Sequence, residues 1–214
     1  MTPKILIGIA TRGGDIYPKV IQFLFTLYGK ENYTVCIQPS PMNVAEGQSK
    51  LFTLAYANNV DYLILMDSDI VPPIDAIERL IATGKDIVTA PIWFTHDNKF
   101  ALNISYQEDL NTVGLVYKEK TSGVEKIAHS SFGCICISRK VLAKFKEANE
   151  HPILWSPLLD EKYLPCYTDA IFHAKARKLG FQAWIDWDIK GSIHYKLCEL
   201  SSEAITKMRA HGTV

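Results

Sequence analysis

The chain has 214 residues, of which 48% are hydrophobic and 21% are charged, so a packed core is expected and an intrinsically disordered chain is excluded. Its formal net charge is zero, and no apolar run reaches the length of a bilayer span, so no integral membrane segment is expected. The five cysteines have no framework spacing, and the first residues lead directly into a predicted strand. Both features favour a reducing compartment over secretion.

Strands and helices alternate through the first ninety residues. Short apolar runs bounded by turn residues predict strands at 5–10, 33–38, 62–66 and 86–91. Apolar residues at helical spacing predict three helices between them: one ending near Gly29, one from about residue 46 to 58, and one that Pro73 opens and Gly84 closes. This β-α-β-α-β-α-β order predicts a parallel sheet with helices on both faces.

The second half of the chain is more mixed. The predicted strands are 100–106, 114–117, 134–137, 181–186 and 191–194, the first two of them in a hairpin or small side sheet. Ser138 and Thr168 are predicted to cap two helices, the second running to Leu179, and the tail from residue 201 is predicted to be helical. The stretch 150–167 is predicted to be an irregular loop. We expect a single domain over residues 1–214.

The acidic motif Asp67-Ser68-Asp69 follows the predicted strand 62–66. It therefore lies at the carboxyl end of a core strand, the edge where open α/β sheets bind ligands. In extended chain, residues two apart point the same way, so both carboxylates can face one ion while Ser68 faces away. Two carboxylates this close repel each other unless a cation or hydrogen-bond donors offset their charge. A divalent metal ion that also binds substrate phosphates would do so, because such ions prefer carboxylate and phosphate oxygens. An acidic pair is also a common loop start, so the motif alone leaves both interpretations open.

With these residues the chain resembles the GT-A glycosyltransferases, in a family-two-like, small single-domain form. The resemblance rests on four segments in order: "DYLILMDSDIVPP", "FGCICISRKVL", "YTDAIFHAKARKLGF" and "IKGSIHY". It implies a GT-A-like, Rossmann-type α/β fold with a mostly parallel sheet flanked by helices and a small secondary sheet on the acceptor side. Residues 1–92 would form the nucleotide-sugar-binding half, and residues 93–214 the acceptor-binding half with a C-terminal tail.

The resemblance also assigns roles at the metal and at the reacting hydroxyl. Asp69 would bind a Mn²⁺ or Mg²⁺ that bridges the donor diphosphate, and Asp67 would contact the donor ribose or the metal through water. His194 matches a late metal-ligand histidine, although an ordinary core or surface position is the usual alternative for a lone histidine. Asp169 matches the base of inverting members, and Thr168 stands where those members have Glu.

Donor and acceptor contacts are expected at both sides of this centre. Thr11 and Arg12 follow the first strand, where the family binds the nucleoside, and Ser68 joins them. Many small relatives carry Ala-Arg-Asn where this chain has residues 46–50, and Lys50 is the candidate substitute for the phosphate contact.

The residues expected to contact the acceptor are Gly133, Trp93, Trp155 and Thr168. For any single aromatic residue, core packing remains the alternative.

Basic residues are concentrated in the second half. Residues 1–109 carry 8 Lys/Arg and 12 Asp/Glu, whereas residues 110–214 carry 15 and 11. Seven lie on two predicted helices and are expected to be solvated: Arg139, Lys140, Lys144, Lys146, Lys175, Arg177 and Lys178. A polyanionic acceptor is the alternative.

The function expected from these features is metal-dependent transfer of a sugar, of the hexosyltransferase type and with inversion, from a nucleoside-diphosphate sugar to an acceptor hydroxyl. A UDP-sugar is the expected donor, and the acceptor is a saccharide or a hydroxylated base in phage-type DNA. The expected location is the cytoplasm of a bacterium or of a virus-infected host cell. The alternatives are a sugar-phosphate nucleotidyltransferase and a catalytically silent sugar-binding module.

Overall fold

The strands and helices are defined in a computed structural model that describes residues 2–40, 43–96, 99–102, 104–107, 122–154, 168–190 and 192–194. The strands are β1 (Ile5–Arg12), β2 (Tyr33–Ser40), β3 (Tyr62–Asp67), β4 (Ile70–Val71), β5 (Ile87–Thr89), β6 (Trp93–His96), β7 (Lys99–Leu102), β8 (Ile104–Ser105), β9 (Val124–Ile127), β10 (His129–Ser130), β11 (Cys134–Ser138), β12 (Ala183–Asp186) and β13 (Ile193–His194). The helices are α1 (Pro18–Thr26), α2 (Val44–Asn58), α3 (Ala76–Ala82), α4 (Arg139–Glu147) and α5 (Thr168–Lys178).

A seven-stranded sheet in the order β2-β1-β3-β11-β5-β12-β9 forms the centre of the protein. Strands β2, β1, β3, β5 and β12 run in one direction, and β11 and β9 run in the other. The predicted α/β fold with a mostly parallel sheet is thus confirmed. Strand β11 comes from the second half of the chain but lies between two strands of the first half, so both halves build one sheet.

Two smaller sheets accompany the central one. One has four strands in the order β4-β13-β6-β7, and the other pairs β10 with β8, which confirms the expected small secondary sheet. The predicted strand 100–106 is divided between β7 and β8, and the strands β4, β6, β9 and β10 were not predicted. The predicted strand 114–117, most of the loop 150–167 and the helical tail from residue 201 lie outside the described residues.

Two helix starts differ from the prediction for local reasons. Helix α2 begins at Val44, because the Asn43 side-chain oxygen accepts a hydrogen bond from the Glu46 N–H at 2.9 Å and caps the first turn. Helix α3 begins at Ala76, so the prediction that Pro73 opens it was wrong. The Ala76 N–H donates to the Pro73 carbonyl at 3.0 Å, which closes a turn ahead of the helix.

Apolar layers cover both faces of the central sheet. One layer includes Leu51 and Phe172, and the other includes Ile7 and Ile77. Helix α2 sits directly on β1 and β2, because a Cβ at Gly47 would lie only 2.9 Å from the Gln38 carbonyl oxygen. This contact fixes the first turn of α2 above the carboxyl ends of both strands. No helix in the described ranges is long and apolar enough to cross a membrane.

Candidate functional site

The acidic motif occupies a turn that is held on two sides. Asp67 is the last residue of β3, and its N–H donates to the Gly133 carbonyl at 3.3 Å, just before β11 begins. The Ser68 carbonyl accepts a hydrogen bond from the Tyr17 N–H at 2.8 Å, just before α1 begins. These two hydrogen bonds therefore fix the backbone of the acidic turn against the segments that precede β11 and α1.

Two other carboxyl groups act on Asp67 at this edge. Burial first, and then the negative charges of Asp69 and Asp169, together raise the pKa of Asp67 to about 7. Burial also raises the pKa of Asp169 to about 6, although the Ala170 N–H, which donates to its Oδ1 at 2.8 Å, works in the opposite direction. A buried acidic group with neighbouring acids is unfavourable without a cation, and carboxylate oxygens are the ligands that hard divalent cations prefer.

The last described strand lies beside this motif. In the antiparallel pair of β13 with β4, His194 is opposite Ile70, which directly follows Asp69. The backbone of His194 is therefore adjacent to the acidic turn although the two are far apart in sequence. Within the described residues, no group of three or more His, Cys, Asp or Glu side chains is arranged to hold a metal. Metal binding by His194 remains a prediction.

A partly buried hydrogen bond joins α2 to the start of α5. The Thr168 hydroxyl donates to the Gln48 side-chain oxygen at 2.7 Å, and Gln48 is 7% exposed. Thr168 is the first residue of α5 rather than the cap ahead of it. Sequence analysis missed Gln48, although a signal was present: position 48 shares an otherwise apolar helix face with Leu51, Phe52 and Ala55.

The predicted donor residues differ in their surroundings. Thr11 lies in β1 and is fully buried. Its hydroxyl has no hydrogen-bond partner among the described residues. Arg12 is exposed and pairs in register with Ser40. Lys50 forms an ion pair with Glu46 at 2.8 Å, and the Glu46 carboxylate also accepts from the Ser40 hydroxyl at 2.7 Å. The predicted phosphate-binding residue Lys50 is therefore already paired with the carboxylate of Glu46, in the first turn of α2.

The predicted acceptor residues also have structural roles. A Cβ at Gly133 would lie 2.4 Å from the Ile70 Cδ1, so any larger residue there would displace this buried side chain. Trp93 is 7% exposed and belongs to a core cluster, as the packing alternative predicts. Trp155 lies outside the described residues.

Lys175 differs most from its prediction, because this expected surface residue is fully buried. Its Nζ donates to the Glu150 carboxylate at 2.8 Å and to the carbonyls of His151 at 2.8 Å and Leu154 at 2.6 Å. The side chain therefore ties α5 to the segment that precedes the region 155–167.

Comparison with known proteins supports the fold. The crystal structure of A197 from STIV has a TM-score of 0.54 and 16% identity over 85% of this chain and 81% of that chain. The structure of CMP:2-keto-3-deoxy-manno-octonic acid synthetase complexed with CTP has a TM-score of 0.46 and 10% identity over 85% and 88%. No protein-family model and no curated protein sequence matches the chain. At these identities the first similarity establishes a shared α/β fold and nothing further, and the second is too low to carry an argument.

Proposed function

We propose that this protein is a metal-dependent glycosyltransferase that moves a sugar from a nucleoside-diphosphate sugar, with a UDP-sugar as the first candidate, to an acceptor hydroxyl. One observation carries the proposal: the carboxyl groups of Asp69, in the acidic turn, and of Asp169, at the start of α5, both act electrostatically on Asp67, at the end of a central strand. The resemblance of the sequence to GT-A glycosyltransferases gives these positions their roles.

The acidic turn is the proposed metal site. Its carboxylate oxygens suit Mn²⁺ or Mg²⁺. The pKa of Asp67 is raised to about 7 first by burial and then by neighbouring negative charge, and a cation would offset that charge. Asp69, Asp67 and His194 are the proposed ligands, and the donor diphosphate would complete the set. When bound, such a cation acts as a Lewis acid that neutralises the charge on the departing nucleoside diphosphate.

Asp169 is the proposed general base. Its pKa of about 6 leaves it largely ionised at neutral pH while keeping it more basic than an ordinary aspartate. It would accept the proton of the acceptor hydroxyl while the acceptor oxygen bonds to the anomeric carbon. The bond from that carbon to the donor phosphate oxygen breaks in the same displacement, so the configuration inverts.

The basic helices leave two acceptor classes open, a saccharide and a hydroxylated base in phage-type DNA. Lys140 lies 3.9 Å from Asp86, and Lys144 lies 3.3 Å from Glu147. These acidic neighbours reduce the attraction of α4 for a polyanion, so we propose a saccharide first.

Donor hydrolysis is the experiment that tests the proposal. The protein with Mn²⁺ is incubated with a panel of nucleoside-diphosphate sugars, and release of nucleoside diphosphate is measured. We expect release from one donor, its loss in Asp69→Ala, and its retention in Asp75→Ala, which removes an exposed carboxylate nearby. Asp169→Asn should bind the same donor but no longer transfer its sugar.

Three outcomes would contradict the proposal. Release that persists in Asp69→Ala would remove the acidic turn from the reaction. Pyrophosphate formed from a nucleoside triphosphate and a sugar phosphate would identify a nucleotidyltransferase instead. Binding of a saccharide without any turnover would identify a silent binding module.

A further inference from the structure

An apolar face lies on the side of the protein formed by α1 and the edge strand β2. Phe25 on α1 is 71% exposed there, and Tyr28, just after the end of the helix, is 90% exposed. They continue onto alternate residues of β2. We call this surface the α1–β2 face, and its members are Ile21, Phe25, Tyr28, Val35 and Ile37. Contiguous exposed apolar side chains of this kind mark interaction sites on soluble proteins.

The same face contains both a protruding part and a receiving part. A groove of about 300 Å³ lies between α1 and β2, lined by residues that include Leu24, Leu27 and Tyr33. Phe25 and Tyr28 also belong to its lining and remain largely exposed. A surface that carries a large exposed aromatic residue beside an apolar groove can be self-complementary, as a twofold interface requires.

Strand β2 adds an open sheet edge to this face. It is the first strand of the central sheet and pairs with β1 in unbroken register over all eight of its residues. Natural edge strands are usually protected by charged side chains, prolines or bulges. The segment Tyr33–Ser40 contains no charged residue, and its one proline, Pro39, is next to its end. Among the described residues no other strand pairs with its outer side.

We propose that the α1–β2 face is the interface of a homodimer, in which the β2 strands of two copies pair antiparallel about a twofold axis. Such an axis keeps both α1 helices on the same side of the joined sheet. The exposed aromatic residues of each copy then reach the groove of the other. This arrangement covers the apolar side chains and pairs the free strand edge in a single contact.

The exposed area is of the size that a dimer needs. At roughly 200 Å² per aromatic side chain, Phe25 and Tyr28 together expose about 300 Å². A standard interface buries about 800 Å² per partner, so these two residues supply more than a third. Ile21, Val35 and Ile37, each at least 40% exposed, and the backbone of β2 add to this area.

The charges favour a second copy over an anionic lipid surface. Helices that bind such surfaces combine an apolar face with unpaired Lys and Arg. Lys30, the cation that lines the groove, is paired with Glu78. The chain has a formal net charge of zero, so two copies approach each other without net repulsion.

Sedimentation equilibrium of the full chain over a wide range of concentration tests the proposal. We expect a mass of twice 24.1 kDa and a dissociation constant raised about a hundredfold or more in Phe25→Lys, because each substitution acts twice in a twofold interface. Ile74→Lys is the matched control, since Ile74 is 64% exposed outside the face, and it should remain dimeric. Circular dichroism confirms that both variants are folded.

Thiol crosslinking tests the pairing of β2 itself. Cys36 lies near the middle of β2 and is a partly buried free thiol, so antiparallel pairing centred there brings two copies of it together. A short bis-maleimide should join two chains in the wild type and not in Cys36→Ser. A monomer at every concentration, or a dimer that Phe25→Lys leaves intact, would overturn the proposal. Binding of the monomer to phosphatidylserine vesicles would assign the face to a lipid surface instead.

Discussion

Acid should destabilise this protein through two buried histidines, one on α5 and the other on β10. His173 is fully buried, and His129 is 9% exposed on β10. The Ser130 hydroxyl lies 3.4 Å from the His173 Nε2. Burial, with smaller contributions from His129 and the positive charge of Arg177, lowers the pKa of His173 to about 3. Burial, with a smaller contribution from Arg177, lowers the pKa of His129 to about 4. Both imidazoles are therefore neutral in the folded protein at mildly acidic pH.

The sign and size of the effect follow from the difference between the folded and unfolded chain. An unfolded histidine has a pKa near 6.5, so between about pH 6.5 and 4 the unfolded state binds protons that the folded state does not. The contribution of each histidine to stability is complete above pH 6.5 and is lost as the pH falls toward its folded-state pKa. At about pH 5 each histidine lowers the free energy of unfolding by about 2 kcal/mol relative to neutral pH.

Urea unfolding followed by tryptophan fluorescence measures this effect at about pH 7.5 and 5. The variant His173→Gln places a group that does not titrate at the same position. We expect the wild type to lose about 2 kcal/mol more than the variant over this range. Asp67 and Asp169, whose raised pKa values act in the opposite direction, are present in both proteins and cancel in the comparison. An equal loss in both proteins would refute the reasoning.

Three substitutions test other contacts through the urea midpoint. Thr11→Val removes a buried hydroxyl that has no partner among the described residues. It should stabilise the protein by about 1 kcal/mol and weaken donor binding. A loss of stability would show that the hydroxyl is hydrogen-bonded. Gly133→Ala places a Cβ 2.4 Å from the Ile70 Cδ1 and should cost about 1–3 kcal/mol; an unchanged midpoint would contradict this packing. Lys175→Met removes the donor from the Glu150 carboxylate and two carbonyls and should lower the free energy of unfolding by about 3 kcal/mol. Adding Glu150→Gln should restore part of this stability. An unchanged stability in Lys175→Met would mean that the buried ammonium group contributes nothing.

The elements that sequence analysis located correctly are those whose signals are local. The strand that ends in Asp67 is a short apolar run followed at once by acids and prolines, and its position at the carboxyl edge follows from the alternation of strands and helices. The start of α5 at Thr168 was found within one residue because a hydroxyl and an acid precede an apolar helix face. Each of these signals is contained in a window of about ten residues.

The features that sequence analysis missed depend on contacts between distant segments. The reversed strand β11 has the composition of any buried strand, and only its pairing with β3 and β5 defines its direction. Lys175 has the sequence context of a surface residue, but the carbonyls of His151 and Leu154 provide a buried site for its ammonium group. Partners that lie more than twenty residues away leave no periodic signal at the position itself.

The hydrogen bond between Thr168 and Gln48 shows how the two kinds of information combine. A glutamine on the apolar face of α2 marks a polar group that folding must satisfy, because a buried amide without a partner costs stability. The missed glutamine was therefore a signal that a partner exists, and the structure identifies that partner as Thr168 at 2.7 Å. That bond fixes the first turn of α5 against α2, and Asp169 is the next residue. The placement of the proposed base thus depends on a residue of the first half of the chain, which explains why neither half alone specifies the site.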